Sequence, residues 1–283
     1  MSVALATCSA LPDGVPDVQD LLAALNDLGL KAEIVIWDDP DLDWDSYELV
    51  VVRSTWDYTT RRDEFLAWAE GVPRLLNGPD VLRWNTDKRY LRELDEAGLP
   101  VVPTLWDPAD LPADWPEYVI KPAVSAGSRD TARWTAGAGD ESAARAHLER
   151  LRAEGRTTMV QPYMSAIDTD GETALLFFDR EYSHAARKAP ILQVGTGVVD
   201  GPRGGQTVPV DATPEQIEVA ERILAAVPGD LLYARVDLVP GPDGGPVLIE
   251  LELAEPNLFL QHGAGAAERF ARAIERRLSP PSA

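Results

Sequence analysis

The sequence predicts an α/β protein that turns to α+β in its C-terminal part, on three observations. The first 80 residues alternate short apolar strands with an amphipathic helix, the pattern of an open α/β sheet. Beyond Glu172, strands follow one another through short turns, the pattern of hairpins. The chain has 283 residues, 45% of them hydrophobic, enough for two or three compact units with real cores.

Taken in order, Val3 to Thr7 reads as a buried strand. Asp17 to Leu28 sets Val18, Leu21, Leu22, Leu25 and Leu28 at helical spacing, and Gly29 closes it. Ala32 to Trp37 and Leu49 to Val52 add strands. Ligands of such sheets lie beyond the carboxyl ends of the strands. Two polar loops hold those positions, Cys8-Ser9 and the run Arg53-Ser54-Thr55-Trp56-Asp57-Tyr58. Asn85 to Lys88 opens a helix to about Ala97, with Thr86 or Asp87 as N-cap and Gly98 as the stop. Next come a strand at Tyr118 to Pro122, a small-residue loop Ser125 to Ser128, a strand near Arg133 to Thr135, a helix from Asp140 to about Arg152, and a strand at Thr158 to Gln161. Glu172 to Phe178 and Glu181 to Arg187 pair across a tight turn at Asp179-Arg180. The long glycine-rich loop Ala189 to Gln206 has no helical pattern, and loops of that length are functional or mobile. Its stretch Gly195 to Gly205, with Arg203, fits a lid. These breaks divide the chain into units at 1–85, 86–160 and 161–283.

Charge narrows the partners. A net charge of -21 repels phosphate backbones and anionic lipid, so nucleic acid and membrane surfaces are excluded as first readings. No apolar run approaches the roughly 20 residues that span a bilayer. The single cysteine, Cys8, cannot build a disulfide framework, and the N-terminus lacks the basic region of an export signal, so a cytoplasmic setting is expected.

The most informative segment runs from Tyr233 to Leu253. Two alternating strands flank a loop of turn residues, Pro240 to Pro246, which predicts a hairpin. Alternation puts Ala234, Val236 and Leu238 on one face with Ile249, Leu251 and Leu253. Arg235 and Asp237 then share the other face with Glu250 and Glu252, Asp237 opposite Glu250 and Arg235 opposite Glu252. Three carboxylates that close repel unless a cation sits among them, and hard oxygen ligands suit Mg²⁺. The bland alternative is a solvated acidic face.

Only four lysines occur, Lys31, Lys88, Lys121 and Lys188. Neither a P-loop nor a strand-to-helix G-x-G-x-x-G is present. Lys88 opens a helix, and Lys121 ends a strand just before Ser125 to Ser128, where small side chains let backbone N–H groups approach an anion. Singly, each lysine reads more readily as a surface residue. With the hairpin acids, they suggest a triphosphate.

The ordered set Asp87-Lys88, Ile120-Lys121-Pro122, the small-residue loop, Gln161-Pro162-Tyr163-Met164, Gly171-Glu172, Arg235-x-Asp237 and Glu250-x-Glu252 resembles the ATP-grasp superfamily, nearest its glutathione-synthetase-like ligases. The resemblance covers about residues 86–283. It implies an ATP-grasp fold with a Rossmann-like N-terminal α/β domain at 1–85, a central subdomain at 86–160, and a C-terminal subdomain at 161–283. It further implies that Lys88 and Lys121 contact ATP phosphates, with Ser125, Ser128 and Lys188 nearby. Gln161, Tyr163 and Met164 would form the adenine hinge, and Asp168 or Glu172 would take the ribose hydroxyls. Asp237, Glu250 and Glu252 would hold two magnesium ions. The family usually has Asn where Glu252 stands, and Pro256 falls one residue later than the usual proline, which leaves the register after Leu253 open.

The implied activity is ATP-dependent C–N ligation through an acyl phosphate, on a small amino acid, in a homodimer. Arg187 and Arg235 would stabilise the transferring phosphate and the oxyanion, although Arg187 reads equally well as an exposed strand-end arginine. Arg53 would grip a substrate carboxylate, with Thr7, Ser9, Ser54 and Thr55 adding hydroxyls. The short length and the Arg53 to Tyr58 loop are similar to those of ligases that close the D-cycloserine ring from O-amino-D-serine in antibiotic biosynthesis. A dipeptide or other small amide ligase of secondary metabolism, or a non-catalytic ATP-binding regulator, fits the same motifs.

Overall fold

A computed structural model describes residues 2–137, 139–200 and 205–278. The expected lid falls partly outside them: of Gly195 to Gly205, residues 201–204, Arg203 among them, are not in the described set. Among the described residues, no helix is long and apolar enough to cross a membrane.

Three sheets organise the chain. The first holds β1 (Ser2–Thr7), β2 (Lys31–Ile36), β3 (Leu49–Ser54) and the short β4 (Leu75–Leu76), all parallel, in the order β2-β1-β3-β4. It carries α1 (Pro16–Asp27) and α2 (Arg62–Gly71). In α1 the expected apolar positions Val18, Leu21 and Leu25 are buried, and Gly29, at φ 74°, supplies the left-handed turn that ends the helix.

Where one helix was expected from Asn85 to Ala97 there are two, α3 (Pro79–Asn85) and α4 (Tyr90–Glu96). The Thr86 hydroxyl bonds back to the Leu82 carbonyl, and the Asp87 carboxylate accepts from the Arg89 backbone N–H, so local side-chain bonds hold the break open.

The second sheet is antiparallel, in the order β5-β8-β6-β7, from β5 (Leu105–Trp106), β6 (Glu117–Pro122), β7 (Ala132–Thr135) and β8 (Thr158–Pro162), with α5 (Glu141–Ala153) alongside. The division expected at 160/161 falls inside β8, whose backbone stays in this sheet to Pro162.

The third sheet follows the one-turn helix α6 (Ile167–Asp170). It contains β9 (Glu172–Phe178), β10 (Glu181–Lys188), β11 (Thr207–Val210), β12 (Tyr233–Pro240) and β13 (Pro246–Glu252), in the order β11-β10-β9-β12-β13. The turn at Asp179-Arg180 is present, both residues at positive φ as a type I′ hairpin turn requires. Helix α7 (Pro214–Ala226) and helix α8 (Ala266–Leu278) complete the chain. Helix α8 packs on α1, and one apolar cluster runs from Val3, Leu5 and Leu21 through Phe178 to Phe270 and Ile274. The N-terminal sheet and the third sheet therefore share a core.

The hairpin register is the expected one at the charged pairs, Arg235 opposite Glu252 and Asp237 opposite Glu250. One detail differs. A bulge between Asp237 and Leu238 sets Leu238 opposite Leu248, so Ile249 leaves the apolar face and lines the cleft instead.

Candidate active site

Strand β13 is a sheet edge, and its outward backbone groups are met by side chains from the segment 77–90. The Tyr90 hydroxyl lies 2.9 Å from both the Leu251 nitrogen and the Leu251 oxygen. Asn85 donates to the Leu251 carbonyl and accepts from the Leu253 N–H, and Asn77 donates to the Leu253 carbonyl. These bonds replace a missing strand and fix the backbone that carries Glu250 and Glu252.

On the cleft side, Asp237, Glu250 and Glu252 each offer an oxygen, and the three atoms lie within 4.8 Å of one another. Protein cations surround them. The Arg235 guanidinium makes two 2.9 Å bonds to Asp237 and one of 2.5 Å to Glu252. Lys188 Nζ bridges Asp237 at 2.8 Å and Glu172 at 2.7 Å, and Lys88 Nζ lies 3.1 Å from Glu250 and 2.6 Å from the Ser125 carbonyl oxygen.

The electrostatics follow from this placement. Burial opposes ionisation of Asp237, yet Arg235 and Lys188 hold its carboxyl below the usual range. Burial also opposes ionisation of Glu250, but Lys88, Lys121 and Lys188 pull it down to about 2. Glu252 behaves oppositely. Burial and the neighbouring Glu250 and Asp237 push it up to about 7 despite Arg235. Burial lowers Lys121 to about 8, with Lys88 adding to the shift and Glu250 opposing it. One of the clustered acids thus resists ionisation until further positive charge arrives, and this donor set fits a divalent cation with hard oxygen ligands.

Two cavities meet at these residues. The first has Gln161, Tyr163 and Met164 on one wall, Val102, Val119 and Ile249 on apolar walls, and Lys88, Lys121, Glu172 and Lys188 at its polar end. The second, of about 260 Å³, adds Trp56, Thr59, Arg235, Glu252, Glu255 and Phe259. Lys188, Glu250 and the loop Ala126 to Ser128 line both. Gly127 and Ser128 sit at φ 60°, so the loop turns sharply between the cavities. A slot joined to a second chamber across lysines and carboxylates suits transfer of a phosphoryl group from one ligand to another.

Comparison with known proteins agrees with this geometry. Residues 3–77 match the family model described as the N-terminal domain of D-cycloserine synthetase DcsG. The chain is 39% identical over 285 residues to the cycloserine biosynthesis protein DcsG of Streptomyces lavendulae, covering 93% of this chain and 94% of that one. The chain belongs to the DcsG family. The crystal structure of D-cycloserine synthetase DcsG matches it with a TM-score of 0.89 at 36% identity, over 99% of this chain and 100% of that one. The ATP-grasp fold is shared more widely. The ATP-grasp ligase PsnB with minimal precursor, Mg and ADP matches at TM-score 0.65 and 18% identity, over 98% and 97% of the two chains. D-alanine–D-alanine ligase from Bacillus anthracis with ATP matches at 0.67 and 14%, over 98% and 96%. This DcsG-family chain is an ATP-dependent ligase that forms a C–N bond.

Not every residue expected in the site is there. In this DcsG-family chain Lys88, Lys121, Ser125, Ser128, Gln161, Tyr163, Met164, Glu172 and Lys188 all line the first cavity. Asp168 does not: its carboxylate is taken by Arg133 at 3.0 Å and by the Tyr163 hydroxyl at 2.6 Å, which leaves Glu172, of the two acids expected at the ribose, facing the slot. Arg187 is exposed and lines neither cavity. Register explains why, since Asp237 pairs with Ala174, Ala174 with Ala186, and Glu172 with Lys188, so Lys188 shares the face of Asp237 and Arg187 does not.

The five expected substrate contacts are also elsewhere. Thr7 bonds to Ser54 at 2.8 Å and to the Leu11 carbonyl at 2.7 Å, inside the first sheet. Arg53 is buried, donates to the Pro256 carbonyl at 2.9 Å, and lies over the Tyr233 and Phe270 rings. Burial lowers its pKa, opposed by Tyr233, Asp17 and Glu255. Thr55 is buried with no partner for its hydroxyl, and Ser9 is exposed away from the cavities. Arg53 instead braces the segment after β13, helped by Asp17, whose carboxylate accepts the backbone N–H groups of Leu258, Phe259 and Leu260.

That segment supplies what sequence reasoning missed: Glu255, Asn257 and Phe259 in the second cavity. Burial, with Glu252 alongside, raises Glu255 to about 8, and its side chain bonds the Tyr58 hydroxyl. The Glu255 carbonyl holds the Trp56 indole N–H at 3.2 Å, so the Arg53 to Tyr58 loop reaches the site through its aromatics.

Proposed function

We propose that this ligase closes the D-cycloserine ring from O-amino-D-serine. In that reaction the substrate carboxylate takes the γ-phosphoryl group of ATP to give an acyl phosphate and ADP. The aminooxy nitrogen of the same molecule then attacks the acyl carbon, releasing phosphate and a proton. The observation that carries the reading is the junction of the two cavities at Lys188, Glu250 and the loop Ala126 to Ser128. The second chamber is walled by Trp56 and Phe259 and suits a small substrate. The overall likeness to the cycloserine biosynthesis protein, over 93% of the chain, supports the same substrate.

Within that scheme Lys88 and Lys121 bind phosphate oxygens, and the backbone at Gln161 to Met164 reads the adenine edge. Glu172 takes a ribose hydroxyl, with Lys188 held charged beside it by Asp237 and Glu172. Asp237, Glu250 and Glu252 would hold two magnesium ions, which would supply neutralisation of phosphate charge. Arg235, anchored on Asp237 and Glu252, stabilises the oxyanion at the acyl carbon. A cytoplasmic homodimer is the form expected for the enzyme.

The test is ADP release with MgATP and O-amino-D-serine alone, with mass spectrometry of the product. A cyclic product of the substrate's mass less one water is expected. If ADP forms only when a second amino acid is added, the enzyme joins two molecules and the ring-closing reading fails.

A further inference from the structure

Four carboxylates line the two cavities, and three already have a basic partner. Glu172 is bonded to Lys188, Glu250 pairs with Lys88, and Glu252 with Arg235. Glu255, only 7% exposed, is different: among the described residues no basic side chain lies within ion-pair distance of it, and its bond is to the neutral Tyr58 hydroxyl. A carboxyl so buried is costly to charge unless a cation is brought to it.

Two kinds of cation enter this cleft by the reaction proposed above, magnesium and the α-ammonium of the amino-acid substrate. Glu255 does not belong to the group of carboxylates close enough to share a metal, which is Asp237, Glu250 and Glu252. It lines the second cavity with Trp56 and Phe259, and aromatic faces beside one carboxylate form a common ammonium receptor. Arg129, Lys188 and Arg235 line the same cavity and supply positive charge for a carboxylate. The chamber therefore has one free acid and several bases, the polarity of an amino acid whose carboxylate is turned to the metal face.

We infer that Glu255 is the specificity-determining receptor for the substrate α-ammonium, so that the enzyme selects α-amino acids over the same chain without the amino group. This rests on the proposed ring closure, and it adds a role for a residue outside the ATP and metal sites. Loss of one partner of a desolvated charge pair is worth about 100-fold in affinity.

The experiment compares O-amino-D-serine with 3-(aminooxy)propanoic acid, which keeps the reacting carboxylate and aminooxy group but lacks the α-ammonium. The wild-type enzyme should favour the first by about 100-fold in kcat/KM. E255Q, which keeps a hydrogen bond to Tyr58, should lose that preference: about 100-fold poorer kcat/KM on O-amino-D-serine, mainly through KM, and an unchanged value on the analogue. KM for ATP should not move. Equal losses on both substrates, or no loss on either, would overturn the assignment. If E255Q fails to fold, E255D carries the same comparison, since it keeps the charge but shortens its reach, and must weaken only the α-amino substrate. A wild-type enzyme that turns over neither compound overturns the functional reading itself, whereas turnover without discrimination overturns only the role of Glu255.

Discussion

The β12–β13 hairpin and the carboxyl end of the first sheet both present polar residues toward the middle of the molecule, yet they serve different ends. In the hairpin, polar side chains at alternate positions gather into a charged cleft, Arg235, Asp237, Glu250 and Glu252, with two cavities above them. At the end of the first sheet, Thr7, Ser54 and Arg53 are satisfied by each other and by backbone, and none lines either of these two cavities. Polarity at a strand end marks a ligand site only where the groups face open space, as Lys188, Glu250 and Glu252 do. Where they are enclosed among their partners with no cavity before them they are framework, however well placed they look in sequence.

The contrast can be broken from either side. D237N strikes the hairpin: with the acid gone, ADP formation should fall by about 10³-fold while the circular dichroism spectrum is kept. A rate within tenfold of wild type would mean that the hairpin acids are not the reaction centre. R53M strikes the framework, leaving the Pro256 carbonyl without its donor. It should cost about 2 kcal/mol in chemical denaturation, while KM for the amino-acid substrate of the folded fraction stays near wild type. A stable R53M protein with a greatly raised KM would return Arg53 to the substrate.

A third test uses pH and concerns the cleft alone. Glu252 and Glu255 are raised to about 7 and 8 from 4.5 in the unfolded chain. Between those limits the unfolded chain binds fewer protons than the folded one, so their contribution to stability is full below about pH 4.5 and is lost as pH rises through 7 and 8. Glu250, lowered to about 2, acts in the opposite sense and in a separate window, losing its contribution as pH falls from 4.5 toward 2. In the metal-free protein the two acids therefore lower the melting temperature at pH 8.5 relative to pH 5.5, against the opposite effect of buried His147, and E252Q should shift the difference between the two pH values toward greater stability at pH 8.5 than wild type shows. A difference unchanged in E252Q would place the titration elsewhere. The smallest effect is expected for S9A, an exposed position: rate and melting temperature should both match wild type, and a raised substrate KM would reopen that loop as a binding element.

Much of the hairpin was legible because strand alternation is a two-state code. Once Val236 and Leu251 are inward, Asp237 and Glu250 must share the cleft face. The same code failed by one residue at Arg187 and Lys188. The parity of β10 is interrupted by an irregularity between Tyr182 and His184, and only pairing to β9 shows which neighbour faces Asp237. The bulge that turned Ile249 toward the cleft is equally silent in a pattern of apolar residues. Glu255 was missed because it follows the strand, where no periodicity applies; its position comes from Asp17 and Arg53, more than 200 residues away in sequence. The lysines were readable because they are scarce, and the strand-end hydroxyls were misread because a single sequence does not show which of them already have partners.

The side chains that close the edge of β13 bear on how the chain is made. Tyr90 is separated by 161 residues from the Leu251 backbone it bonds, and Asn77 by 176 from Leu253. During synthesis from the N-terminus, these clamps emerge long before the strand they are shaped to hold, and the first sheet waits with part of its shared core uncovered. Glu250 and Glu252 are then fixed only when the last quarter of the chain docks, so completion of the nucleotide cleft and completion of the fold become one late event.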